Sequence, residues 1–182
     1  EVIIGLKSGK AIRFNESKTR AVGRTAMGVK GITLGSPDDE VIGMVCVNDS
    51  ESSILVVSSN GYGKRSAVDD YRITNRGGKG VKTLQITEKT GELISILNVT
   101  NEHDLMIVNK SGITIRMAVE DLRVMGRATQ GVRLISLRGK DEIASVCRVP
   151  KADDEEVDVE GAEAEGEQPE GEQPEGEQPE ET

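Results

Sequence analysis

Short apolar bursts rich in Val and Ile alternate along this chain with clusters of Gly, Asn, Asp and Ser. Val2–Leu6, Ile54–Val57 and Leu105–Val108 are continuous apolar runs, the pattern of strands buried on both faces. Each run is followed by a turn sequence, Lys7-Ser8-Gly9, Ser59-Asn60-Gly61 and Lys110-Ser111-Gly112, in which Gly supplies the positive φ of a hairpin. No stretch keeps a helical period between recognisable caps, so the pattern predicts a nearly all-β body. From Ala152 onward the apolar periodicity disappears. The unit Gly-Glu-Gln-Pro-Glu occurs three times there, beginning at Gly166, Gly171 and Gly176. Such a segment buries too little apolar area to offset the entropy of ordering it, and residues 151–182 are expected to be a disordered acidic tail.

The body repeats. Three copies of one unit, offset by 51 to 52 residues, begin near Glu1, Ser52 and His103. The first carries Gly9, Arg13, Arg20, Arg24, Gly28, Val29 and Lys30. The second carries Gly61, Arg65, Arg72, Arg76, Gly80, Val81 and Lys82 at the same spacing, and the third Gly112, Arg116, Arg123, Arg127, Gly131, Val132 and Arg133. A unit of this length with four short strands has the size of a propeller blade. In the first copy the strands are expected at Val2–Leu6, Ala11–Phe14, Val29–Leu34 and Val41–Val47. One blade cannot cover both of its faces, so copies must stack, with blades at about 1–50, 51–101 and 102–150. Three blades are too few for a ring of the usual four to eight, and an incomplete ring with further blades upstream is expected. Glu1 leading directly into an apolar run fits a cut inside a longer polypeptide, and neither a signal peptide nor a membrane span is expected.

Charge changes this picture because it is segregated. The net −9 of the chain divides into +5 for residues 1–150, with 22 basic against 17 acidic residues, and −14 from Lys151 onward. Within the body, spans 9–30, 61–82 and 112–133 hold sixteen basic residues against five acidic. Stacked blades would turn these registers into a repeating cationic stripe, which suits the evenly spaced phosphates of a duplex. Arg13, Arg65 and Arg116 directly follow a strand and are expected to hold structure together. Arg20, Arg24, Lys30, Arg72, Arg76, Lys79, Lys82, Arg123, Arg127 and Arg133 are the candidate DNA-binding residues, expected to reach solvent freely from loops. Phe14, Tyr62 and Tyr71 are too few to stack the bases of a single strand, which favours double-stranded DNA.

Little here suggests chemistry. Arg76-Gly77-Gly78-Lys79-Gly80 lacks the Gly-Lys-Ser/Thr ending of a phosphate-cradling loop. His103, the one histidine, is read as solvated in a polar turn. Cys46 and Cys147 are read as small core residues in a reduced, cytoplasmic setting. The chain is expected to be non-catalytic and to bind no metal or cofactor itself.

Gly61-Tyr62-Gly63-Lys64-Arg65, the three Arg-x-x-x-Gly-Val-Lys/Arg units, Arg13-Phe14 through Gly31-Ile32, Val124-Met125-Gly126-Arg127 through Gly131-Val132, and the acidic tail together resemble the C-terminal domain of the bacterial DNA gyrase A family. The resemblance covers residues 1–150. It implies a six-bladed β-pinwheel with strand exchange between blades, of which this chain would hold the last three. It implies that duplex DNA wraps the rim while the parent type II topoisomerase, using ATP and Mg2+, introduces negative supercoils. Gyrase B and a second copy of gyrase A are the implied partners, through upstream regions. A tail that competes with DNA for the rim is a further implication. The family's Gln-Arg-Arg-Gly-Gly-x-Gly box is absent, and Thr74-Asn75-Arg76-Gly77-Gly78-Lys79-Gly80 resembles a degenerate copy of it. The related polypeptide of topoisomerase IV, a protein-binding propeller, and a nucleotide-dependent enzyme using the Gly-rich loop are the competing readings.

Overall fold

Residues 1–48 and 51–151 are described in the structure, a computed structural model; the expected tail from Ala152, with Asp49 and Ser50, lies outside them. Eleven strands and two single 3-10 turns make up the described chain. Each long apolar run becomes the first strand of a hairpin: β1 (Val2–Leu6) with β2 (Lys10–Phe14), β4 (Ser53–Ser58) with β5 (Tyr62–Ala67), and β8 (His103–Asn109) with β9 (Thr114–Ala118). The glycines that close these hairpins, Gly9, Gly61 and Gly112, have φ of 77°, 83° and 88°. A third strand returns antiparallel on the other side of each first strand: β3 (Val41–Cys46) on β1, β7 (Leu93–Val99) on β4, β11 (Ile143–Pro150) on β8.

The fourth strand is not where the periodicity puts it. Val29–Leu34 forms no strand in the first copy. Its counterparts are two-residue strands, β6 (Val81–Lys82) and β10 (Val132–Arg133), and each pairs with the hairpin of the preceding copy. The registers are Lys10↔Lys82 with Ala11↔Val81, and Tyr62↔Arg133 with Gly63↔Val132. The sheets are therefore β3-β1-β2-β6, β7-β4-β5-β10 and β11-β8-β9. Val29 is exposed, and no hairpin of a preceding copy is available for pairing among the described residues. The strand exchange is why the second copy depends on the first, and the third on the second.

Close backbone approach makes the exchange possible. A Cβ on Gly80 would sit 2.6 Å from the Ala11 carbonyl oxygen, and one on Gly131 would sit 2.5 Å from that of Gly63. With φ of 71° and 77°, both positions also favour glycine conformationally.

The core lies between copies. Along β4, Ile54 and Val56 enter a cluster with Ile3, Ala11, Tyr71 and Leu84. Leu55 and Val57 enter a second cluster, with Leu105, Ile107, Val119 and Leu122. All four β4 residues are fully buried, each worth about 2 kcal/mol, which explains the unbroken apolar run. Copies at the ends of the stack show the opposite: Ile4 is only partly buried, and so is Met106. β3 packs beside β7 and β7 beside β11, so the third strands form the inner side of the stack and the exchanged strands the outer.

Two expectations are corrected. Cys46 and Cys147 are free and exposed, because both lie on these inner strands at positions facing away from the packed clusters. His103 is half-buried at the start of β8, where Nδ1 lies 3.0 Å from the Thr100 N–H that donates to it and 2.9 Å from the Thr100 hydroxyl. No helix among the described residues is long and apolar enough to cross a membrane.

Candidate nucleic-acid interface

The outer loops begin in the same way in every copy. After β2, β5 and β9 the chain makes one tight turn, closed by Thr19 N–H to Glu16 O, Tyr71 N–H to Val68 O and Leu122 N–H to Val119 O. Tyr71 and Leu122 then plug into the core, at 1% and 6% exposure. Their successors, Arg72 and Arg123, are thereby turned outward, and Arg20 holds the same place in the first copy. All three are exposed, and none has a hydrogen bond or ion pair among the described residues. Arg24 and Lys79 share that condition, as do the Lys30 and Lys82 side chains.

The next arginine register does not reach solvent freely as expected. Arg76 donates from Nε to Lys18 O at 2.9 Å and from Nη1 to Lys30 O at 3.0 Å. Arg127 repeats this one copy later, to Asp70 O at 2.9 Å and Lys82 O at 2.7 Å. Each guanidinium thus clamps two carbonyls of the preceding copy, one on either side of the loop. Arg24 holds the same place in the first copy, and no carbonyl clamp forms there among the described residues. The carbonyl partners lie about 45 to 58 residues upstream, so no local sequence signal reveals them.

Arg13, Arg65 and Arg116, which lie within β2, β5 and β9, bond protein partners. Arg13 forms an ion pair with Glu1 and donates through Nη1 to Val68 O and Tyr71 O of the second copy. Arg65 donates to Asn101 Oδ1 at 2.7 Å. Arg116 binds Asp104 Oδ2 at 2.7 Å and Pro150 O at 2.9 Å.

The last register rides on the exchanged strands. Lys82 stands opposite Lys10. Arg133 stands opposite Tyr62, and its Nη2 donates to the phenol oxygen at 2.9 Å. The hydrogen bond from Arg133 holds the Tyr62 hydroxyl below its usual pKa. The Gly-rich loop 76–80 runs into β6 with no helix behind it, and Gly77 is tied down by its N–H to Gly31 O and by Thr33 Oγ1 to Gly77 O, both at 2.6 Å. Its tip leaves Lys79 exposed beside a 220 Å³ cleft shared with Arg72. Sequence reasoning missed Lys64, an ammonium buried inside this interface. Its Nζ donates to Gly126 O at 2.5 Å, and burial pushes its pKa down to about 8.

Blades that pass a short strand to their predecessor, with cations along the outer loops, define a strand-exchanged β-propeller carrying a basic rim. Comparison with known proteins places it more closely. The family model described as DNA gyrase C-terminal domain, beta-propeller, matches residues 7–48, 52–100 and 103–149, one segment per blade. The DNA gyrase A polypeptide of Staphylococcus aureus strain MRSA252 is 50% identical over 157 residues, which is 86% of this chain and 18% of that protein. That of strain NCTC 8325 / PS 47 is 51% identical over the same shares. A solved DNA gyrase A C-terminal domain superposes with a TM-score of 0.73 at 26% identity, over 81% of this chain and 50% of that one. The C-terminal domain of DNA topoisomerase IV shares the fold, with a TM-score of 0.76 at 21% identity, over 82% of this chain and 46% of that one. This chain belongs to the DNA gyrase C-terminal domain family, and it spans under a fifth of the length of the curated relatives it matches.

Proposed function

We propose that the chain is a duplex-DNA wrapping module of a gyrase-type topoisomerase, acting in the bacterial cytoplasm. The carrying observation is the outward register of Arg20, Arg72 and Arg123. They recur at one place per blade, are exposed in all three, are turned outward by buried Tyr71 and Leu122 in the second and third, and spend no charge on the protein itself. Together with Lys30, Lys79 and Lys82 they offer a phosphate backbone regularly spaced cations whose binding releases counterions and carries little sequence information. Arg24, Arg76, Arg127 and Arg133 belong to the same rim; in Arg76 and Arg127 the guanidinium also joins blades. A bend imposed on DNA at such a rim would supply the crossing that a strand-passing enzyme converts into negative supercoils. The ATP and Mg2+ of that cycle, gyrase B and a second copy of gyrase A belong to the remainder of the assembly.

The test is duplex affinity measured against salt for the wild type and for Arg72→Ala, Arg123→Ala and their double variant, on duplexes of unrelated sequence. Each substitution should weaken binding equally on all sequences and lower the salt slope by about one unit. Unchanged affinity in the double variant would remove the rim from the proposal and leave a protein-binding propeller as the better reading.

A further inference from the structure

The two blade junctions differ at the outer end of the hairpins. Where β6 joins β2, two lysines face each other. Where β10 joins β5, Arg133 meets Tyr62 instead, and its Nε and Nη2 both point at the phenol oxygen, at 3.3 and 2.9 Å. That oxygen is used as an acceptor, and its own hydrogen has no acceptor among the described residues. Tyr62 as a whole residue is 8% exposed. It lines a cleft of about 420 Å³ together with Asn60, Lys89, Arg133 and Lys140. Lys89 Nζ stands 5.4 Å from the Tyr62 ring centroid and Arg133 Cζ 5.5 Å, so two cations converge on one ring.

Two acids border the cleft, and both are committed elsewhere. Asp141 accepts from the Ser111 hydroxyl at 2.8 Å and from the Glu142 N–H at 2.9 Å. Glu142 pairs with Lys110 at 2.6 Å. The cleft therefore concentrates an arginine, two ammonium groups and a free phenolic donor with no carboxylate aimed at them. Such a donor set wants a compact oxyanion with several acceptor oxygens.

We propose that this cleft between the second and third blades binds a phosphate group, with the Tyr62 hydroxyl donating to it and Arg133, Lys89 and Lys140 balancing its charge. Phosphate as the ligand class rests on the cleft alone. That the phosphate is a diester of wrapped duplex rests on the function proposed above. Neither Lys89 nor Lys140 belongs to the repeating arginine pattern, so the site is a local addition to the rim.

The two tyrosines make the test direct, because the chain has no tryptophan. Burial raises the Tyr71 phenol and the Arg133 hydrogen bond lowers the Tyr62 phenol, so their ionisations separate in an absorbance titration. An anion seated against Tyr62 opposes formation of the phenolate. Inorganic phosphate should move the lower step upward and saturably, beyond the effect of chloride at matched ionic strength. Lys89→Ala with Lys140→Ala should abolish that movement. The same double variant should weaken duplex binding roughly tenfold, and Tyr62→Phe should weaken it by a smaller factor. No phosphate-specific movement in the wild type overturns the site. Movement with duplex affinity unaltered in both variants overturns the duplex as its source and leaves a free-phosphate site. Movement in a wild type that binds no duplex keeps the site and removes the wrapping function instead.

Discussion

At Lys64 a single side chain departs from the repeat. The first and third copies have Ile12 and Ile115 at that position, and the second has an amine that is 1% exposed. The ammonium keeps one hydrogen bond, to Gly126 O, which also accepts from the Thr129 hydroxyl at 3.0 Å. Asp70 favours the charge and Arg127 opposes it, and burial outweighs both. The folded pKa of about 8 lies below the ordinary 10.5, so the unfolded chain binds more protons between those values. Stability should therefore rise with pH across that window, by up to about 3 kcal/mol. Lys64→Met should be more stable than the wild type at pH 7, with the advantage shrinking towards pH 10. Denaturant midpoints for both proteins at the two pH values check this, and parallel pH curves would mean that Lys64 does not titrate there. The sequence exposes Lys64 as an exception to an apolar register, but only packing shows that it is buried. The arginines divide in the same way. Their periodicity is fully legible in the chain. Which register clamps a neighbour and which faces solvent is not, because the partners are main-chain carbonyls in the copy before.

Among elements, the hairpins are the most legible, since an apolar run followed by Ser-Gly or Asn-Gly determines two strands and the turn between them. The third strands are nearly as clear. The exchanged strands are not, because a segment such as Val29–Leu34 has strand composition in every copy and lacks a strand of its own to join. Pairing depends on what precedes it in space. Gly131→Ala tests how the exchange is held. An added Cβ would meet backbone of β5 and would also carry the left-handed penalty, so a loss of about 2 kcal/mol or more is expected. Gly28 has φ of 83° and nothing within 4 Å of a built Cβ, so Gly28→Ala should cost only the conformational part, about 1 kcal/mol. Equal losses in urea titrations of the two variants would show that the approach of β10 to β5 relaxes freely.

Across the whole described unit, the bonds between copies repeat: Thr33 N–H to Gly78 O recurs as Gln85 N–H to Thr129 O, and Thr74 N–H to Arg13 O recurs as Met125 N–H to Arg65 O. The two ends of the stack are therefore unlike but complementary. At one end Arg24 and Gly28-Val29-Lys30 hold the places of the clamp and the exchanged strand, with neither paired; at the other the outer edge of β9 carries no strand among the described residues. Joining such ends between molecules is heterologous, and two three-blade stacks give six blades, within the range that closes. Residues 1–151 produced on their own should self-associate head to tail as their concentration rises, and Val29→Asp with Arg24→Ala should keep that segment monomeric in sedimentation. A wild type that stays monomeric at high concentration would show that the open ends do not recognise each other. Within one molecule the same arithmetic has a different effect. An open row of blades has one junction fewer than it has blades, whereas a closed row has as many junctions as blades. Closure therefore adds a whole interface without ordering one further residue, and the last strand to dock stabilises every blade at once.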